Sequence, residues 1–245
     1  MIQEPDVSMH REQQPSVEDV LGHGHISVIG RILNSSNATF LVEVTHCDVL
    51  HRAVYKPEQG ERPLWDFDPG LYRREVAAYL VSEALGWHIV PTTIVRDDGP
   101  LGIGSLQLFI EHDPAENFFT LMEHHPATHE QLGRMAVFDL VVNNADRKAG
   151  HVLYDEQQRL WGIDHGLCFA EQHKLRTVMW DFAGEKIASE LLDDITPLTE
   201  DVPKVFEAHL TDPEIEALQD RIHTLLSARR YPNDPTGRRF PWPLV

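Results

Sequence analysis

The chain has 245 residues, 42% of them hydrophobic, and a formal net charge of −18. That length and apolar content suit one domain of two lobes, or two small domains sharing a cleft. The charge argues against nucleic acid, which needs a basic footprint, and against firm adhesion to anionic membrane, which needs clustered Lys and Arg.

No apolar run approaches the roughly 20 residues that span a bilayer, so no integral membrane association is expected. Residues 1–17 open with the polar run MIQEPDVSMHREQQPS and lack the apolar stretch of a secretory leader; a flexible arm is expected there. Cys47 and Cys168 lie outside any C-x-x-C or zinc spacing, and two thiols without a leader fit a reducing cytoplasm. The 15 histidines, including the neighbours His23 and His25 and the pair His124 and His125, read as surface residues.

Residues 26–33 and 39–44 run apolar or alternate, as strands do, around the turn cluster Asn34-Ser35-Ser36-Asn37. A third short strand, HRAVYKP, ends at Pro57, and a loop rich in Gly, Pro and acids covers 58–70. Residues 71–85 carry helical periodicity, with Gly86 as the stop. Strands are expected at 88–95, interrupted by Pro91, and at 105–111. The first lobe, 18–111, therefore reads as a mainly antiparallel sheet carrying one helix. The second, 112–245, opens on an apolar-rich helix at 130–142. A polar loop at 143–150 and two short strands at 151–155 and 159–163 follow. Beyond Phe169 the chain reads as helical, most clearly at 214–226, and ends in a Pro-rich tail that Trp242 is expected to pin. The class is α+β.

The densest polar cluster is NNADRKAGH, residues 143–151, and a second carboxylate, Asp164, follows the strand WGI. Two carboxylates at the ends of adjacent strands can converge on one cation, and Mg²⁺ prefers such hard oxygen ligands completed by phosphate oxygens. Asp146 also has the character of a base or orienter for an attacking hydroxyl. Taken singly, each Asp reads better as a turn residue, and the pair gains its functional reading from the features upstream. Upstream, Lys56 is the one Lys before residue 111 and lies in the apolar strand AVYK. A buried Lys needs a carboxylate, and Glu75 on the next helix can supply it and aim the ammonium at phosphates.

The order strand-Lys, helix-Glu, D-R-x-x-G, then I-D-x-G resembles the phosphatidylinositol 3-/4-kinase-like superfamily. Among its members the chain is most similar to the type II phosphatidylinositol 4-kinases and their plant and bacterial relatives, an actinobacterial group included. The matching pieces are AVYKP at 53–57, REVAAYLVSEALGW at 74–87, VPTT at 90–93, GSLQLFIE at 104–111, NNADRKAGH at 143–151 and GIDHGLCF at 162–169. The resemblance implies a bilobal, protein-kinase-like fold that uses ATP with Mg²⁺ or Mn²⁺. It implies that Lys56, paired with Glu75, holds the α/β-phosphates. Gln107, Leu108, Phe109 and Ile110 then form the hinge segment at the adenine, and Ser35, Ser36 and Asn37 cover the phosphates. Asp146 becomes the catalytic carboxylate, Lys148 a contact to the γ-phosphate and Asp164 a metal ligand. Where the family has a metal-binding Asn five residues after the catalytic Asp, this chain has His151. Imidazole suits Mn²⁺ better than Mg²⁺, and Asn144 is an alternative donor.

The stretch after Phe169 leaves little room for a peptide-docking lobe and has no A-P-E motif. The expected acceptor is therefore a small soluble alcohol, inositol- or sugar-like, with a phosphoinositide headgroup next and a protein third. The rival expectations are a nucleotide-binding scaffold without turnover, and transfer of AMP instead of phosphate.

Overall fold

The computed structural model describes residues 14–245 except 34 and 36. Five strands form an antiparallel sheet in the order β1-β2-β3-β5-β4. They are β1 His25–Arg31, β2 Phe40–His46, β3 Val49–Pro57, β4 Thr93–Arg96 and β5 Gly104–Leu108. Two helices belong to this lobe, α1 Val17–His23 and α2 Leu71–Ala84. The remainder carries α3 Phe118–His124, α4 His129–Val142, the hairpin of β6 Val152–Tyr154 with β7 Leu160–Gly162, α5 Ser189–Ile195 and α6 Asp212–Ala228.

Period-two alternation gives the sheet two different faces. Ala53 and Tyr55 of β3 are fully buried with Val42, Val44 and Leu106, and Val20 and Leu21 of α1 seal that face. Val54 and Lys56 point the other way, where α2 packs along β4 and β5. α2 buries residues on nearly all sides, which suits a helix wedged between sheet and second lobe. The larger core lies in the second lobe, where Leu132, Phe138 and Val141 of α4 meet Leu218 and Ile222 of α6.

The hairpin, the third strand, the helix at 71–84 and the helices over 129–142 and 212–228 agree with the sequence reading. Four features correct it. α1 begins at Val17, where an arm was expected, and a Ser16/Asp19 capping box starts it; residues 1–13 lie outside the described residues. The strand expected at 88–95 is reduced to Thr93–Arg96. His88 has φ 49°, and the N–H groups of Ile89 and Val90 turn back onto Ser82 Oγ at 2.8 and 3.2 Å. α3 was not anticipated. Trp242 does not pin the tail, because it is 88% exposed. Backbone bonds hold that segment instead. Thr177 N–H donates to Arg239 O at 3.1 Å, and Ala149 N–H to Leu244 O at 2.8 Å.

Leu21 joins α1 to the sheet and is fully buried. Leu21→Ala should lower unfolding free energy by about 3 kcal/mol, read as a shifted urea midpoint at unchanged slope.

Candidate active site

Lys56 Nζ lies 2.5 Å from Glu75 Oε1 and 2.7 Å from Asp164 Oδ1. The sheet, α2 and the turn after β7 therefore meet at one ammonium. Glu75 is 4% exposed, and its other oxygen accepts the backbone N–H of His165 at 2.9 Å, so both carboxylate oxygens are used. Burial alone would lower the Lys56 pKa; Asp164 and Glu75 outweigh it and hold it above the ordinary lysine value. The Lys56 charge in turn holds Asp164 well below the usual carboxylate range. Asp164 takes a left-handed φ of 64°. A Cβ at Gly166 would stand 3.3 Å from Glu75 Oε1, which explains a glycine two residues after this Asp.

Beneath this triad lies a buried network that the sequence reading missed. Arg147 is fully buried and forks onto Asp139 of α4, with Nε to Oδ2 at 2.8 Å and Nη2 to Oδ1 at 2.9 Å. Its Nη1 donates to the carbonyls of His151 and Ile163 at 3.1 and 3.0 Å, and Nη2 approaches His165 Nε2 at 2.8 Å. One guanidinium thus ties α4, the loop after it, and the residue before Asp164. The signal available was a lone Asp inside the apolar helix run VFDLVV.

Asp146 lies in the same cleft, its backbone N–H on Asn144 Oδ1 at 2.9 Å and its Oδ2 3.2 Å from Lys148 Nζ. Burial pushes the Asp146 carboxyl up, with Lys148 acting against it. His151 Nε2 stands 3.2 Å from Asp164 Oδ2, and burial pushes its pKa down to about 4, so the ring is neutral at pH 7. The Lys148 N–H faces His151 Nδ1 at 3.5 Å, which places the ring proton on Nε2, toward Asp164. Among the described residues no group of three or more His, Cys, Asp or Glu is placed to hold a metal alone. A cation here would need ligands from elsewhere, as phosphate oxygens and water provide.

The cleft, about 290 Å³, is lined by Ser35, Asn37 and Thr39 above and by Asp146, Lys148, Asp164 and Gly166 below. Ser36 lies outside the described residues. The β1–β2 loop is tied to the β3–α2 loop by Ala38 N–H to Gly60 O and by Arg62 N–H to Asn37 Oδ1, each 2.9 Å. The Glu61 carboxylate then caps α2, accepting the N–H groups of Gly70 and Tyr72 at 2.8 and 3.2 Å. Of the expected hinge residues, two backbone N–H groups are already bonded within the first lobe. The Gln107 side chain is buried and donates to Thr93 Oγ1 at 2.8 Å. The N–H of Leu108 is spent on Thr92 O at 2.8 Å and that of Phe109 on Arg52 O at 3.0 Å. None of Gln107, Leu108, Phe109 and Ile110 lines the cleft. Leu41 and Val54, directly paired and half-buried on the Lys56 face, are the apolar surface beside it.

Residues 69–234, more than half of the chain, match the sequence profile described as phosphatidylinositol 3- and 4-kinase. The chain belongs to that family. Among its relatives, Protein Rv2133c of Mycobacterium tuberculosis (strain ATCC 25618 / H37Rv) is 38% identical and the alignment covers 91% of this chain and 94% of that protein. Phosphatidylinositol 4-kinase gamma 4 of Oryza sativa subsp. japonica is 30% identical over 44% of this chain and 22% of its own length. Phosphatidylinositol 4-kinase gamma 3 of Arabidopsis thaliana is 34% identical over 39% and 18%. The chain thus spans about a fifth of these plant kinases. In fold it is similar to hydra Fam20, solved with sugar (TM-score 0.52, 13% identity, 86% of this chain and 87% of that one). It is likewise similar to the Helicobacter pylori proinflammatory kinase CtkA (TM-score 0.50, 11% identity, 85% and 93%). The kinase-like fold of this family member is therefore shared across 86% of its length at an identity that reports architecture alone. Among the described residues no helix is long and apolar enough to cross a membrane.

Arg147→Met should destabilise by about 3–5 kcal/mol, because it strands the buried Asp139 carboxylate. Asp139→Leu added to it should recover most of that loss; urea unfolding of both variants measures the difference.

Proposed function

We propose that this kinase-family chain binds ATP with one divalent cation and transfers the γ-phosphate to a hydroxyl of a small polyol or an inositol headgroup. The observation that carries the reading is the Lys56 ammonium held between Glu75 and Asp164, with Asp146 in the same cleft. Lys56 neutralises phosphate charge and is aimed by Glu75. The acceptor oxygen attacks the γ-phosphorus, its proton goes to Asp146, and the bond to the β-phosphate oxygen breaks, leaving ADP. Lys148, beside Asp146, balances charge on the transferred group. Family membership and the plant relatives' name support the inositol headgroup; the sugar bound to the hydra protein supports a polyol.

Asp164 and His151 fit a cation. Their facing atoms are 3.2 Å apart, near the edge of about 3 Å between adjacent octahedral ligands. When bound, such an ion would neutralise the phosphate oxygens and orient them for in-line transfer. His151 is neutral, as a ligand must be, though its Nε2 proton would first have to move to Nδ1. The imidazole favours Mn²⁺ over Mg²⁺. The same ring, seated as a hydrogen-bond donor on Asp164, favours a second reading in which nucleotide binds without turnover.

Thermal shift and ADP release separate the two. ATP with Mn²⁺ at 100 times its dissociation constant should stabilise the protein by about 2.7 kcal/mol. A shift with no product under any acceptor supports the second reading, and no shift with either metal removes both. Asp164→Asn should abolish metal-dependent stabilisation. Asp146→Asn should retain it and lower kcat by at least about 100-fold; equal loss of binding in both variants contradicts this division.

The pH dependence follows from Asp146. Its folded pKa is raised, so the base is lost as pH falls through a value above the ordinary carboxylate range of about 3.9. The acidic limb of kcat against pH should lie above that value. Stability linked to Asp164 has the opposite origin: its depressed pKa contributes above the unfolded value and is lost only at lower pH.

A further inference from the structure

A second concavity, about 530 Å³, lies beside the cleft and shares Leu64 with it. Its near wall is the loop between β3 and α2, which reaches across to the second lobe. Phe67 of that loop is buried against Leu71, Ala145 and Ala170, and Ala145 immediately precedes Asp146. The Arg74 guanidinium and the Lys174 ammonium sit over the Phe67 ring at 5.3 and 4.3 Å. Lys174 also bonds the Asp66 carbonyl, and its own N–H donates to Asn143 Oδ1 at 2.9 Å. The loop is therefore fixed to the catalytic loop. Two residues before this anchor, Trp65 is 95% exposed and lines the groove.

The other wall groups narrow the class of ligand. Of the charged groups on its walls, Lys174 pairs with Asp66 at 3.6 Å and Arg74 with Glu214, which leaves Asp68 and Glu171 as acceptors and Arg73 and Gln172 as donors. Those two carboxylates face Arg73 as the one cation outside these pairs among the described residues, and in a chain of net charge −18 they disfavour an anionic ligand or an anionic lipid surface. A neutral polyhydroxylated ring meets all of these groups: its hydroxyls donate to the carboxylates, its oxygens accept from Arg73 and Gln172, and its C–H face lies on the indole. We propose that this groove, with Trp65 as the stacking face, holds the non-reacting part of a neutral sugar or cyclitol acceptor, one hydroxyl of which enters the cleft toward Asp146. The assignment rests on phosphoryl transfer to a hydroxyl and names the acceptor. Binding there is remote from the reacting atoms, so it contributes to acceptor affinity and orientation and leaves nucleotide affinity alone.

The test begins without nucleotide. Intrinsic tryptophan fluorescence is titrated with myo-inositol, methyl α-glucopyranoside, maltose and phosphatidylinositol vesicles. Wild type, Trp65→Ala and Trp242→Ala are compared, the last removing another largely exposed tryptophan, on the tail. At least one of the three polyols should give a saturable change that Trp65→Ala abolishes and Trp242→Ala keeps. With that polyol as acceptor, Trp65→Ala should raise its KM at least tenfold, with the KM for ATP unchanged. No saturable change with any polyol, an unaltered titration in Trp65→Ala, or a response to vesicles alone overturns the assignment. Because the fluorescence arm needs no ATP, while thermal shift with ATP and Mn²⁺ needs no acceptor, failure of the groove and failure of the kinase reading are told apart.

Discussion

A single half-buried ammonium sets the terms for the rest of the molecule. Lys56 leaves water only because two carboxylates wait for it, and each is delivered by a different part of the chain. Glu75 must come from a helix pressed on the sheet, and Asp164 from a turn in the other lobe. With that requirement go α2 packed against β4 and β5, a left-handed backbone at Asp164, and a close approach at Gly166, where a Cβ would stand 3.3 Å from Glu75 Oε1. Removing either acid leaves the ammonium under-compensated, which favours keeping the whole triad.

The Asp139–Arg147 pair does for the loop bearing Asp146 what Glu75 does for Lys56. Arg147 touches no cleft atom directly, yet its bonds to the carbonyls of His151 and Ile163 set the backbone on either side of the β6–β7 hairpin. His151 and Asp164 are the side chains carried at those positions, and the 3.2 Å between them is fixed by this arrangement below. A guanidinium suits this task better than an ammonium, since its planar fork serves Asp139 with two donors and still has Nη1 for the carbonyls.

Much of this was legible from residue type and order. Lys56 in an apolar strand, Glu75 on a periodic helix, and Asp146 and Asp164 around short strands needed no long-range information beyond their sequence of appearance. What escaped reading depended on contacts between distant segments. α1 spans seven residues, too few for a periodic pattern, and is stabilised by the sheet face it covers. Asp139 and Arg147 are partners only once α4 and its following loop are folded. The bonds that the N–H groups of Leu108 and Phe109 close to Thr92 and Arg52 were likewise not legible, because residue type does not encode them. Trp242 misled for the complementary reason: an aromatic in a Pro-rich tail suggests an anchor, but the anchors are backbone groups of Arg239 and Leu244.

The bonds from Ala38 to Gly60 and from Arg62 to Asn37 have a mechanical consequence. The strand-connecting loop above the cleft and the N-terminal cap of α2 are joined through one short segment, with Glu61 at its junction. The loop over the cleft is thereby held in register with the helix bearing Glu75, and by thermodynamic reciprocity any coupling between a ligand on that loop and the Lys56–Glu75 pair acts equally in both directions.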